Sequence, residues 1–328
     1  MPRTTPLAAA LMLTVAAGTV VAHGVAGTQA VARPVRVGIL DAGGAATDSY
    51  FRAFFKRLRE LGWVDGQNLA IEILRAEGNA EVLPALASEL VQRRVNVIVT
   101  SGTTAIQAAR QATDTIPIVM AGGGDPVASG LIRSLARPGG NITGVSLLGE
   151  EIVPKGLSLL REVVPRAKRV DLLANRANPA NAFFERITAE AAQRLGVGSR
   201  LLEVRSPAEL ERAIAGTQAD AILALPDPMF RLHAKRIADA AIKRRLPLAS
   251  FGRPYVEAGS LMSYAVSFED VYRRAAEYTD RILKGANPAE LPVEQPTRYE
   301  LIFNLKTARA LRLTIPPSLL QRADQVFE

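Results

Sequence analysis

From residue 35 onward the chain alternates short β-branched or aliphatic runs with longer stretches whose apolar residues recur every three or four positions. Val35 to Leu40 is the first such run and predicts a strand. After the Gly/Ala-rich turn from Asp41 to Thr47, residues Phe51, Phe54, Phe55, Leu58 and Leu61 share one helical face. Asp48 is a candidate cap for that helix and Gly62 its stop. Leu69 to Leu74 reads as a strand and Val82 to Arg93 as a helix. Val95 to Thr100 is an unbroken β-branched run of the kind buried on both faces of a parallel sheet. Thr104 to Ala112 predicts a helix and Ile116 to Met120 a strand.

The rhythm restarts after Gly139-Gly140-Asn141. Ile152 to Val164, Asn181 to Leu195, Pro207 to Ala215 and Arg231 to Arg244 have helical spacing. Val170 to Ala174, Leu201 to Val204, Ala221 to Leu225 and Pro247 to Ser250 read as strands between them. Regular alternation of this kind is the pattern of an α/β protein whose parallel sheet is covered on both faces, and the restart divides the chain into two doubly wound, Rossmann-like units. No repeat of solenoid period and no low-complexity linker separates them, so crossing strands rather than a tether are expected to join the lobes.

The first thirty residues follow a different pattern. Arg3 precedes an uncharged apolar stretch from Leu7 to Ala22, and small residues follow, with Ala22, Ala26 and Ala30 as candidate cleavage positions. The stretch is shorter than the roughly 20 residues needed to span a bilayer. Residues 1–30 are therefore predicted to be a cleaved secretory signal.

Composition removes most catalytic chemistry. Among 328 residues there is no Cys and there are two His, His23 and His233, the first of them inside the predicted signal. No disulfide, thiolate nucleophile, Cys-ligated metal or lipidated N-terminal cysteine is available, and a multi-His metal site cannot form. Hydrophobic residues make up 48% and charged residues 22%, the balance of a globular protein long enough for about two domains. Lys+Arg 40 against Asp+Glu 32 gives a net charge of +8. The basic residues are scattered through amphipathic helices, with Lys243-Arg244-Arg245 the densest group, so no nucleic-acid footprint is indicated.

Familiar catalytic motifs are absent as well. There is no Gly-Lys dipeptide for a phosphate loop, no G-x-G-x-x-G after a strand and no G-x-S-x-G elbow. His233 sits among Phe230, Arg231, Lys235 and Arg236, the surroundings of a solvated helix residue rather than of a catalytic base. No enzyme activity, cofactor or metal is expected.

Small polar residues instead recur just past the C-terminal ends of predicted strands, where open α/β sheets bind ligands. Ser101-Gly102-Thr103-Thr104 opens a helix and offers hydroxyls and free backbone N–H groups to an anion such as a carboxylate. Gly122-Gly123-Gly124-Asp125-Pro126 is expected to open another helical segment, with Gly124 allowing close approach and Asp125 offering a charge for an ammonium. Asn175 to Pro179 and Pro226-Asp227-Pro228 hold the equivalent places in the second unit. Asp125, Asn178 and Asp227 are also the residue types that cap helices and form turns; their recurrence after four strands is what points to a cleft that binds a small polar molecule.

Several longer stretches carry a family resemblance. Leu58-Arg59-Glu60-Leu61-Gly62-Trp63-Val64-Asp65-Gly66-Gln67-Asn68, the run from Ile116 through Val127, Leu135 to Gly144, and the tail from Pro292 to Ala308 resemble, in the same order, the substrate-binding proteins of the tryptophan/tyrosine-type ABC transporter family. The likeness spans about residues 35 to 326. It implies a type I periplasmic-binding-protein fold, two lobes joined by three crossing segments around a cleft that closes on ligand.

Applied to this chain, the resemblance places lobe 1 at residues 31–146 plus 262–292 and lobe 2 at 147–261 plus 293–328. The crossings fall near Gly144 to Ser146, Leu261 to Tyr264 and Tyr299 to Phe303. Together with the predicted signal and the absence of cysteine, which point to a periplasmic, non-lipidated protein, it implies a monomer that delivers an aromatic or branched amino acid, or a small aromatic acid, to an ABC permease in the inner membrane. Ser101, Thr103 and Thr104 would take the carboxylate, Asp125 and Asp227 an amino group, with Asn175 and Asn178 as further contacts. Phe251, Tyr255 and Tyr264 would line the side-chain pocket. The alternatives are a ligand-sensing input to a histidine kinase or chemoreceptor and, more remotely, an enzyme on a doubly wound fold.

Overall fold

The computed structural model describes residues 34–43, 48–147 and 149–328. The predicted signal of residues 1–30 lies outside them, as do turn residues 44–47. The chain starts with β1 (Val35–Asp41), α1 (Asp48–Glu60), β2 (Leu69–Arg75), α2 (Leu83–Gln92), β3 (Val97–Thr100), α3 (Thr103–Ala112), β4 (Ile118–Ala121) and β5 (Ile142–Val145). The five strands form one parallel sheet in the order β2-β1-β3-β4-β5. Every residue of β3 and β4 is buried, as their unbroken aliphatic sequence requires of strands covered on both faces. Leu83 and Leu90 of α2 and Ile106 of α3 pack with Leu40 and Ile98 on one face.

No helix forms between β4 and β5, contrary to the expectation that Gly122 to Pro126 would open one. Residues 126–130 are turns, and Asp125 Oδ1 accepts from the backbone of Val127 and Ala128 at 2.8 and 3.0 Å. Gly130 then takes a positive φ of 68°, which a helix cannot continue through.

After Val145 the chain enters the second lobe: α4 (Gly149–Val163), β6 (Arg169–Asn175), α5 (Asn181–Arg194), β7 (Gly198–Val204), α6 (Leu210–Gly216), β8 (Ala221–Ala224), α7 (Pro228–Leu232), α8 (Ala234–Lys243), β9 (Leu248–Ser250), α9 (Arg253–Glu257) and β10 (Met262–Val266). The helix expected over Arg231 to Arg244 is thus two helices. Asp227 caps α7 through Met229 N at 2.8 Å, and the chain turns at His233, whose φ and ψ of −103° and 22° are not helical.

The chain then returns through α10 (Phe268–Leu283), which packs beside α1 on the free face of the first sheet. It closes with β11 (Tyr299–Asn304), α11 (Leu305–Ala310), α12 (Pro317–Leu320) and β12 (Gln325–Phe327). The second sheet has seven strands in the order β12-β11-β10-β9-β8-β6-β7, parallel except where β10 meets β11.

Strand pairing moves two of the expected crossings. Met262–Val266 pairs with β9 and β11 of the second sheet, so the return to the first lobe starts after Val266 rather than near Leu261 to Tyr264. Tyr299 to Phe303 likewise pairs within the second sheet. The third crossing runs ahead of it, where Glu294 bridges to Val145 and exchanges backbone hydrogen bonds with Gly144 and Ser146, each at 2.9 Å. In both sheets the strand order reverses beside the first strand of the unit. The loops after β1, β3, β6 and β8 therefore open at switch points, the places where doubly wound sheets leave a crevice.

Candidate ligand-binding cleft

The loop after β3 is shaped by Gly102, whose φ of 85° lets the chain turn into α3 with no side-chain cap. The first N–H groups of α3 therefore have no partner from a cap residue. Thr103 Oγ1 accepts the N–H of Gly124 at 3.1 Å, tying this loop to the glycine run after β4. Ser101 Oγ accepts the phenol of Tyr272 at 2.9 Å, which leaves the Ser101 proton to turn elsewhere. Burial pushes the Tyr272 hydroxyl up to about 12, so it remains a donor throughout the neutral range.

On the second lobe, Asp227 is the hub. Its carboxylate accepts from Met229 N, from Asn178 Nδ2 at 3.0 Å and from Asn175 Nδ2 at 3.3 and 3.2 Å. Burial raises its pKa, and these donors, with Arg231 nearby, pull it back only in part. Tyr255 donates to the Asp227 carbonyl at 3.4 Å, and burial raises its phenol too.

The two lobes meet across a cavity. Ser101, Gly102, Thr103 and Gly122 to Gly124 line it from the first lobe, with Phe268 at the start of α10. Leu147 lies at the crossing, and Ile152, Asn178, Phe184, Asp227, Arg231, Phe251 and Tyr255 face it from the second. The space open to the centre of a water molecule is about 70 Å³, several times the ~10–15 Å³ that one water requires. Contacts across the cleft are close: a Cβ on Gly124 would lie 3.5 Å from the Ala180 methyl, and one on Gly78 3.2 Å from Leu232.

Arg231 was not singled out in the sequence. Its guanidinium carbon lies 5.6 Å from the centre of the Tyr50 ring and 5.4 Å from that of Phe268, both on the opposite lobe. Those rings stack on each other at 5.0 Å, so the cation covers an aromatic platform. Its Nε is sealed from solvent with no hydrogen-bond partner, as is the Tyr50 hydroxyl. Burial pushes the Tyr50 phenol up to about 12. Phe184 and Phe268 were missed as well. Position past a strand end was the usable signal for Arg231, since it lies one helical turn beyond Asp227.

Of the residues expected at the site, Ser101, Thr103, Gly124, Asn178, Asp227, Phe251 and Tyr255 line the cavity. Asn175 stands behind Asp227, and half-buried Thr104 sits on α3 away from the lining. Asp125 is occupied with its turn. Tyr264 stacks on Tyr299 at 5.6 Å and faces a separate groove with Glu151, Lys155 and Arg194. Among the described residues no group of three or more His, Cys, Asp or Glu could hold a metal ion.

Two doubly wound lobes meeting on a mainly apolar, aromatic-walled cavity with a few polar groups are the arrangement of a protein that encloses a small molecule between its halves. Residues 40–327 match the family described as ABC transporter substrate binding protein, and the chain belongs to that family.

The chain is 26% identical over 266 residues to a tyrosine-binding protein of Clostridioides difficile (strain R20291), covering 80% of this chain and 76% of the relative. The ABC domain from Streptococcus pneumonia, solved in complex with L-Trp, superposes with a TM-score of 0.83 at 25% identity, over 90% of this chain and 100% of that one. A conserved domain protein from Vibrio cholerae O1 gives 0.84 at 27% identity, over 89% and 99%. The fold is that of the type I periplasmic binding proteins, and the family is one of substrate-binding proteins rather than enzymes.

Proposed function

We propose that this protein is the exported solute receptor of an ABC importer and that it carries a small molecule bearing a carboxylate beside an aromatic or branched group. Amino acids of that kind are the leading class, given a relative named for tyrosine and a structural neighbour solved with L-Trp. The observation that carries the reading is the cavity itself, where uncapped N–H groups of α3 and the Arg231 guanidinium stand beside aromatic walls.

A ligand that touches both lobes stabilises the closed form, and closure presents both lobes together to a membrane permease. The ligand leaves chemically unchanged. Location in the periplasm follows from the signal read in residues 1–30, and the absence of cysteine leaves no site for a thioether-linked lipid.

A thermal-shift screen of amino acids and small carboxylates tests the assignment. A true ligand at a hundredfold excess over its Kd stabilises the protein by about 2.7 kcal/mol. No shift from any aromatic or branched carboxylate would remove the ligand class. Loss of uptake on deleting the gene separates import from sensing by a histidine kinase or chemoreceptor.

A further inference from the structure

The charges that line the cavity are Asp227 and Arg231, and they differ in what they have left to offer. A carboxylate has about four lone-pair sites. Those of Asp227 already face four contacts: Met229 N and Asn175 Nδ2 on Oδ1, Asn178 Nδ2 and Asn175 Nδ2 on Oδ2. Asp125, the other carboxylate suited to an ammonium, lies off the cavity and accepts from Val127 N and Ala128 N.

Arg231 is in the opposite condition. It makes no salt bridge among the described residues, its Nε has no partner, and it lies over the rings of Tyr50 and Phe268, while Asp227 and Asp41 act on it through charge without an ion-pair contact. A guanidinium lying over a ring keeps its N–H groups directed outward in its own plane. The start of α7 also abuts the loop that precedes α3, since a Cβ on Gly102 would lie 3.0 Å from Pro228 Cγ. The guanidinium on that short helix and the N–H groups of α3 thus approach from opposite lobes.

We infer that the cleft recognises its ligand as an aromatic carboxylate anion whose acid group is held by Arg231, and that it has no requirement for an α-ammonium. This rests on the reading of the cavity as the ligand site and departs from the ranking above in one respect, placing the deaminated acids ahead of the amino acids. An amino acid brings an ammonium that must shed water, and the cavity's carboxylate is already filled. The corresponding deaminated acid brings only the charge that Arg231 lacks. Burial strengthens that pairing, because a cation and anion enclosed together interact far more strongly than in water.

Isothermal titration of the purified protein with matched pairs provides the test: 3-phenylpropionate against L-phenylalanine, and indole-3-propionate against L-tryptophan. The acids are expected to bind at least about tenfold more tightly than their amino acids. 3-Phenylpropanamide, which keeps the shape and loses the charge, is expected to bind about a hundredfold more weakly than the acid.

Arg231→Gln is expected to erase the difference between acid and amide, and Arg231→Lys to restore part of it. Merely structural damage would not produce that pattern. Tighter binding of the amino acids, with the deaminated acids excluded, would overturn this inference and leave the receptor assignment standing. Absence of binding by either class would overturn both. Undiminished preference for the acid over the amide in Arg231→Gln, with that variant folded by circular dichroism, would remove Arg231 from recognition.

Discussion

A methyl group on Gly102 would stand 3.0 Å from the Cγ of Pro228, so the loop after β3 and the start of α7 meet across the cleft with no side chain between them. Gly102 also holds φ at 85° and ψ at 136°, a combination that costs an L-residue about 1–3 kcal/mol. Gly102→Ala should lower the unfolding free energy by that amount. It should also raise the Kd of any ligand about tenfold, because the added carbon props the closed lobes apart. Urea unfolding and titration calorimetry on the same preparation would separate the two effects.

Gly144 precedes the first crossing with φ at 123°, and a Cβ there would fall 2.4 Å from the Met120 carbonyl oxygen and 2.7 Å from its nitrogen. Both obstacles are backbone in a buried sheet and cannot swing aside. Gly144→Ala is expected to cost about 3 kcal/mol or more, seen as a fall in urea midpoint or in soluble yield. Gly140→Ala, where nothing lies within 4 Å, is the matched control and should fall within about 0.5 kcal/mol of the parent.

Arg274 on α10 forms a two-pronged ion pair with Glu294, the residue that bridges the crossing strands. The hydrogen bonds from Arg274 hold the Glu294 carboxyl below the ordinary glutamate range. Its stabilisation is therefore present above pH ~4.5 and lost as the pH falls through the depressed folded value. Both side chains are about 40% exposed, so the contribution is about 1 kcal/mol or less after screening. The stability gap between parent and Glu294→Gln should narrow on acidification and shrink in high salt, measured by urea unfolding across pH.

Asp227 should show the opposite slope. Burial raises its carboxyl above the usual aspartate range, so its stabilisation is complete below the unfolded value near pH ~3.9 and is lost as the pH rises through the folded value. Asp227→Asn removes that titration and sets an amide against two asparagine amides, a permanent loss of about 1–3 kcal/mol. The parent's stability relative to this variant should therefore fall as the pH is raised from about 4 toward neutrality. An unchanged difference would show that the folded and unfolded carboxyls titrate alike, so that burial does not raise Asp227.

The alternation of strands and helices through residue 250 was legible because long aliphatic runs and amphipathic faces were both strong. β10, β11 and β12 were not read as strands of the second sheet. β12 is three residues long, and Met262–Val266 acquires its identity only from β9 and β11 on either side. The cavity loops were legible because strand ends mark themselves with Gly, Ser, Asn and Pro. Arg231 carried only the signal of its place one helical turn beyond Asp227, since one arginine among many in basic helices has no mark of its own. What sets it apart is the Tyr50–Phe268 stack, assembled from two distant parts of the chain. Asp125 and Tyr264 show the converse: residue types suited to a site that found local partners instead.

Tyr272 reaches from α10 to Ser101 in the loop after β3. The half of the molecule made first in synthesis is thus finished by a helix made near the end. While the chain emerges in order, the face of the first sheet beside α1 lacks this helix, and the second sheet gains β11 and β12 only later still. Neither sheet can be finished until most of the chain is free, which, with the export proposed above, delays the appearance of any binding cleft until translocation is nearly done.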